Sequence, residues 1–255
     1  MVRASGTQPV EKQDIVRALH TLGVRPGDVL WAHSSLSAFG YVEGGADTVI
    51  DALLECVGPQ GSVALPTFTW GVNHAKDTVL FDVMNDPCET GRIPETFRKR
   101  AGVRRSLHVC HSVAAWGSAT QRLLGDSVHS FWGNAVFDAL YELDAWNIML
   151  GVGYQSCTAL HAAEEIVQVP YRAYRDYTGS VVRLPDGTEQ EARSVEFLRQ
   201  DGSSNDFGKV EAILEEKGAL SVCPVGKARV TAARMRAVID TAVDCLRKDP
   251  RFLSK

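Results

Sequence analysis

The stretch DVLWAHSSLSAFGYVEGGADTVIDALLECVGPQGSVALP, residues 28–66, carries the pattern that decides the fold. Residues 28–33 form a short apolar run ending in His33, of the length of a buried strand. Residues 34–45 hold three glycines and several hydroxyls and read as a loop. Residues 46–57 repeat apolar side chains at helical spacing until Gly58 and Pro59 stop them, and Ser62–Leu65 is a second apolar run ended by Pro66. A strand, a helix and a strand in this order predict a βαβ crossover, because parallel strands need a connection of this length. The expectation is an α/β fold, with a central, mostly parallel sheet flanked by helices.

Outward from this unit, residues 13–22 read as an amphipathic helix stopped by Gly23 and Pro26. Residues 146–152 read as another buried strand, feeding a helix-like stretch that bears Cys157, Thr158, His161, Glu164 and Glu165. Residues 171–199 differ, since polar and apolar residues alternate and Pro185-Asp186-Gly187 marks a turn, which predicts a hairpin within a small inserted β subdomain over 171–205. Helical periodicity returns over 206–217 and 228–246. With no repeat and no low-complexity segment, residues 1–255 are expected to form one domain.

The 255 residues are 45% hydrophobic and 23% charged, as in an ordinary globular protein, and the net charge of −4 argues against a nucleic-acid partner. Six cysteines are spread along the chain without a CxxC pair, which gives no zinc ribbon or redox dithiol and suits reduced thiols in the cytoplasm. The polar N-terminal segment lacks the apolar stretch of a signal peptide, and no run reaches the roughly 18 apolar residues of a membrane span. Neither a membrane nor a metal is expected as a partner. The hydrophobic content fits either a monomer or a homodimer.

Three segments end strands and carry hydroxyls or positive charge. HSSLSAFGYVEGGADTVI (33–50) leads into a helix, so its backbone N–H groups and the helix N-terminus suit an anion, although it is neither a Walker A sequence nor GxGxxG. The same residues equally suit a plain strand-to-helix loop with serine capping. LPTFTW (65–70) places Thr67 and Thr69 just past a strand's carboxyl end, where open α/β sheets bind ligands. RRSLHVCHSVAAWG (104–117) could bring Arg104 and Arg105 near phosphates, or leave them solvated.

Taken in order, HSSLSAFG, the Gly44-Gly45 pair before a helix, LPTFTW, RIPETFRKR, RRSLHVCHSVAAWG, LGVG at 150–153, TALHAAEE, DFGKVEAILEEKG and VGKARV resemble the aminoglycoside 3-N-acetyltransferase family over about residues 12–245. The resemblance implies the antibiotic acetyltransferase fold, distinct from the general N-acetyltransferase superfamily. It also implies acetyl-coenzyme A as cosubstrate and the 3-amino group of a 2-deoxystreptamine aminoglycoside, or another polyamine-like molecule, as acceptor. An acetyltransferase for a biosynthetic amine, such as an amino sugar or a nucleotide-linked metabolite, is the alternative. A non-catalytic binder would not need the TxLHxAE pattern seen at 158–164.

By the same resemblance His161 is the general base, Glu164 its orienting carboxylate or a contact for a cationic acceptor, and Asp206 a second carboxylate reaching the site from a distance. Helix capping is the simpler role for Asp206, and Glu165 is expected to face solvent. The coenzyme A site would use His33, Ser34, Ser35, Leu36, Thr67, Thr69, Ser112 and Val113. The acid-rich section 176–216 and the 171–205 subdomain would form a lid over the acceptor, with Tyr171 and Tyr174 stacking on sugar rings. Val109 and Cys110 stand where the family has a proline and an aliphatic residue, which leaves His108 and His111 without roles. His20, His74 and His129 are expected to be structural. A rival reading pairs Cys157 with His161, at i and i+4 of a helix, as a thiolate nucleophile. The family pattern does not require that cysteine, so direct transfer is expected.

Overall fold

The computed structural model describes residues 8–74, 76–126 and 128–255, so residues 1–7 of the polar N-terminal segment lie outside the described residues. Helix α1 (Lys12–Thr21) precedes β1 (Val29–Ser34), and α2 (Ala46–Val57) carries the chain to β2 (Ser62–Pro66). Next come α3 (Trp70–Asn73), β3 (Leu80–Asp82), α4 (Arg92–Phe97), β4 (Arg104–Arg105) and β5 (Val113–Gly117). Helices α5 (Thr120–Leu124) and α6 (Val136–Glu142) lead to β6 (Trp146–Leu150) and α7 (Ala159–Val167). The chain continues through β7 (Arg172–Asp176), β8 (Val181–Arg183), β9 (Glu189–Glu191) and β10 (Val195–Arg199). It closes with α8 (Gly208–Glu216), β11 (Ser221–Val225), β12 (Ala228–Arg234) and α9 (Met235–Lys248).

The central sheet runs β11-β12-β6-β1-β2-β5-β4. Its parallel part is the centre, where β1 pairs with β2 across the crossover and with β6 on its other side. The outer strands pair antiparallel. For β4–β5 and β11–β12 the reason is the connection length, since a short connection cannot bring two strands into parallel register.

Residues 228–234, expected to be helical, form β12 instead, and the helix begins only at Met235. The run Ala228–Ala233 is short and mostly apolar, and periodicity alone does not separate such a run from a buried helix. The neighbouring β11 had no sequence signal and contains Pro224, tolerated because β11 is an edge strand.

One face of the sheet buries Ile15, Leu19, Ile50 and Leu53 of α1 and α2 against Leu30 and Ile148. The other buries Leu160 and Ala163 of α7 and Val238, Ile239 and Ala242 of α9 against Trp31 and Met149. The register places His33 opposite Met149 and Ser34 opposite Leu150, so the carboxyl ends of β1 and β6 finish side by side. Helix α7 packs beside α9 on this face and is entered from the carboxyl end of β6, so its N-terminus lies at that same end.

Residues 171–199 form two smaller sheets. Strands β7 and β10 pair antiparallel, while β8 pairs antiparallel with β9 and parallel with β3. No helix among the described residues is long and apolar enough to cross a membrane.

Candidate active site

Helix α7 places His161 and Glu164 one turn apart on the same face, where such a pair can meet. His161 Nδ1 lies 2.6 Å from Glu164 Oε2. Glu164 is fully buried and also accepts from Tyr171 Oη at 2.8 Å, with Arg172 Nε at 2.9 Å and Arg199 at 3.4 Å as ion-pair partners. Burial opposes its ionisation, but the His161 hydrogen bond and the Arg172 charge hold the carboxyl below the usual range. An ionised carboxylate can only accept, so the Nδ1 of His161 carries the proton and Nε2 is left as the basic nitrogen. Burial, aided by the Arg172 charge, lowers the His161 pKa below 6.5, and Glu164 offsets only part of that. The ring is therefore a neutral base at neutral pH, wedged between Phe131 (4.7 Å between centroids) and Phe207 (4.8 Å).

His161 opens onto a cavity of about 640 Å³ whose walls include His33, Ser34, His111, Phe131 and Glu196. His33 Nε2 accepts from the Trp31 indole at 3.0 Å and from the Thr158 backbone N–H at 3.3 Å. Its ring proton is thereby fixed on Nδ1, which has no acceptor among the described residues. Burial and the nearby His161 push its pKa down to about 3, so the ring stays neutral.

A second cavity, of about 560 Å³, is lined by Ser34, Ser35, Leu36, Ser37, Gly45 and Arg92 among others. It lies at the N-terminus of α2, where Gly45 takes a left-handed φ of 65°. Ser34 borders both cavities, and its buried hydroxyl has no hydrogen-bond partner among the described residues. Gly151, with φ of 70°, lets the end of β6 approach the 34–45 loop, since a Cβ there would lie 2.6 Å from Ala38 Cβ.

Several expected site residues lie elsewhere. Thr67, Thr69, Ser112 and Val113 are buried and line neither cavity. The Thr67 and Ser112 hydroxyls bond each other's carbonyls, Thr69 donates to the Val109 carbonyl, and Val113 pairs with Pro66 in the sheet. They form a strut rather than a ligand site. Arg105 pins it by donating to Thr67 and Ser112, so it is not a phosphate contact; Arg104 reaches Gln121.

Asp206 pairs with Lys209 at 2.8 Å and Lys255 at 3.6 Å and does not face the cavity, so it does not support His161. Glu165 is buried, accepting from the Trp132 backbone, and burial pushes its pKa up to about 7. The Tyr171 hydroxyl is committed to Glu164, and Tyr174 lines neither cavity. Of the acidic residues in 176–216, Glu196 alone borders the first cavity. Cys157 precedes α7 rather than sharing its face with His161; its thiol points to Asn147 at 3.7 Å, and burial pushes its pKa up to about 12. A thiolate–imidazolium pair is not formed.

The cavity also contains residues whose local sequence gave no signal. His74, expected to be structural, sits 3.0 Å from Glu196 Oε1, and His111 lies 3.7 Å from the same oxygen. Burial opposes Glu196 ionisation, but His111, His74 and Tyr177 hold its pKa at about 2. Glu89 adds a second carboxylate to the wall, while Arg172 and Arg199, also in the wall, are matched by Glu164. His108 is structural, its Nδ1 accepting from the Cys110 and His111 backbones.

These buried rings make the fold acid-sensitive. Desolvation lowers His33, His108 and His111 to about 3, 4 and 3, whereas unfolding restores 6.5. The unfolded chain therefore binds more protons below pH 6.5, and stability present above that pH is lost as pH falls. At about 1.4 kcal/mol per unit, each ring removes about 2 kcal/mol by pH 5. Urea midpoints measured at pH 7 and pH 5 are expected to differ markedly; equal midpoints would contradict the buried neutral rings.

Residues 32–247 match the family described as aminoglycoside 3-N-acetyltransferase. The chain is 30% identical over 249 residues to aminoglycoside N(3)-acetyltransferase IV of Salmonella sp., covering 94% of this chain and 88% of that protein. Among solved structures it is similar to a histidine-to-alanine mutant of aminoglycoside acetyltransferase AAC(3)-IVa in complex with a gentamicin (TM-score 0.79, 27% identity, 98% of this chain and 93% of that one). It also shares its fold with AAC-IIIb in a binary complex with CoASH (TM-score 0.83, 22% identity, 94% and 97% coverage).

Proposed function

This chain belongs to the aminoglycoside 3-N-acetyltransferase family, and we propose that it transfers the acetyl group of acetyl-coenzyme A to the 3-amino group of 2-deoxystreptamine aminoglycosides. The observation that carries this reading is the junction at Ser34, where an anion-suited cavity meets the cavity that holds the basic Nε2 of His161. A donor with phosphates at one end and a thioester at the other suits two cavities that share Ser34 as a wall residue.

On the donor side, the α2 N-terminus and Arg92 supply positive potential for phosphates, and Ser34–Ser37 supply hydroxyls and backbone N–H groups. On the acceptor side, Glu196 and Glu89 present carboxylates to a polycation. Residues 171–205 act as the acceptor-side wall, contributing Arg172, Glu196, Leu198, Arg199 and Ser203 to it.

His161 Nε2 takes a proton from the acceptor ammonium, freeing the lone pair that forms the C–N bond. Glu164 holds the opposite N–H and stabilises the imidazolium while it lasts. His33, in the cavity wall with Nε2 occupied by Trp31 and Thr158, offers its Nδ1–H as donor to the oxygen that gains negative charge as the C–N bond forms. The C–S bond then breaks, the proton held by His161 passes to the departing thiolate, and the new amide nitrogen releases its second proton to solvent. Cys157 takes no part.

The test is thioester consumption over a panel of amines, with the acetyl group located on the product. Acetylation at the 3-amino position, with normal turnover by Cys157→Ser and no acetyl left on denatured protein, is the expected outcome. Transfer confined to non-aminoglycoside amines would replace the acceptor, and a stable acetyl-protein would replace the mechanism.

A further inference from the structure

His74 follows α3, Cys110 stands in the turn before β5, and Glu196 lies in β10, so three distant segments converge. One ligating atom from each lies within 4.8 Å of the other two, a His/Cys/carboxylate grouping behind the acceptor cavity. Both Glu196 oxygens are within 3.0 Å of His74 Nε2. Cys110 and Glu196 are buried, whereas the His74 side chain is 30% exposed at the cavity wall. His111 stands beside them, 3.7 Å from Glu196 and packed between Phe68 and Phe131.

We propose that His74, Cys110 and Glu196 bind a thiophilic divalent cation of the zinc class, with the fourth position open to the acceptor cavity or filled by His111. An imidazole nitrogen, a thiolate and a carboxylate are a zinc-type donor set, whereas calcium and magnesium take oxygen ligands. Ligand atoms of a tetrahedral zinc site lie about 3.3–3.6 Å apart, given its bond lengths. The group needs a contraction of about 1 Å on the Cys110 side and a slight opening between His74 and Glu196 to meet that geometry. On binding, three ligand–metal bonds form, the Cys110 S–H bond breaks, and its proton passes to solvent. Tyr177, which donates to Glu196 Oε2 at 2.8 Å, remains as the partner that orients the carboxylate.

Occupancy has a consequence that rests on the proposed function: Glu196 would be withdrawn from the cationic acceptor. A zinc-class ion is then a reversible inhibitor that competes with the aminoglycoside and not with acetyl-coenzyme A.

Cobalt(II) titration of the purified full chain reads the site directly, because a cysteine thiolate on Co²⁺ gives a charge-transfer absorption. The wild type is expected to show this band and to lose it on adding Zn²⁺. Cys110→Ser is expected to lack the band, and both Cys110→Ser and His74→Ala to bind Zn²⁺ about 10-fold or more weakly by calorimetry. Cys223→Ser, at a half-exposed cysteine outside the group, should keep both signals. His74→Ala, at a partly exposed residue, keeps the test valid if Cys110→Ser does not fold. Absence of the band in the wild type, or its survival in folded Cys110→Ser, overturns the site. Loss of acetyl transfer to every aminoglycoside in the wild type would overturn the proposed function and leave the cobalt result standing.

Discussion

Replacing His161 with alanine is expected to lower kcat by about 10²–10⁴-fold, the range of a lost general base, with little change in acetyl-coenzyme A affinity. The size of the effect follows from the site. With Nδ1–H committed to Glu164, Nε2 is the ring's only proton acceptor, and it sits in a cavity walled by Phe131 and Phe207. The same geometry sets the pH dependence. The lowered His161 pKa places the acid limb of kcat/KM below pH 6.5, since the reactive form is the unprotonated one and is lost as pH falls through that value. Isothermal titration with coenzyme A separates binding from turnover. A His161→Ala enzyme with near-normal kcat, or an acid limb above pH 7 in the wild type, would remove the ring from the chemistry.

The second large effect concerns His33. Loss of one donor to a developing oxyanion typically reduces kcat about 10²–10³-fold, and His33→Ala and His33→Gln are both expected to show it. His33→Asn should retain far more activity. The distinction comes from the tautomer: Trp31 and Thr158 occupy Nε2, so the available proton is on Nδ1. The asparagine amide nitrogen branches from Cγ as Nδ1 does, whereas the glutamine amide lies one bond further out, toward the Nε2 position. Nitrogen-15 NMR of the imidazoles checks the premise without a variant. His33 should show a protonated Nδ1 and an accepting Nε2 that stay unchanged down to about pH 5, because burial holds its pKa near 3. Equal losses in the Asn and Gln variants, or a titration near pH 6.5, would leave His33 as packing alone.

Much of this molecule is local in origin. The crossover at 28–66 is written in apolar runs of strand and helix length with glycine and proline between them, and it fixes the parallel centre of the sheet. His161 and Glu164 are equally local, since three residues on a helix must share a face. The order of the motifs along the chain was enough to indicate the family.

Tertiary structure decided what no spacing encodes. Whether Thr67, Ser112 and Arg105 hold a ligand or one another depends on strands 45 residues apart meeting at one point. Whether Asp206 or Glu164 supports His161 depends on which carboxylate is taken out of water beside two arginines. The strand at 228–234 looked helical because a short apolar run satisfies either period, and only its pairing with β6 chose between them. The convergence of His74, Cys110 and Glu196, or of His33 with Thr158, lies furthest from the reach of sequence. Hydrogen bonds and ligand geometry act over a few ångströms in space, and the chain reports only distance along itself.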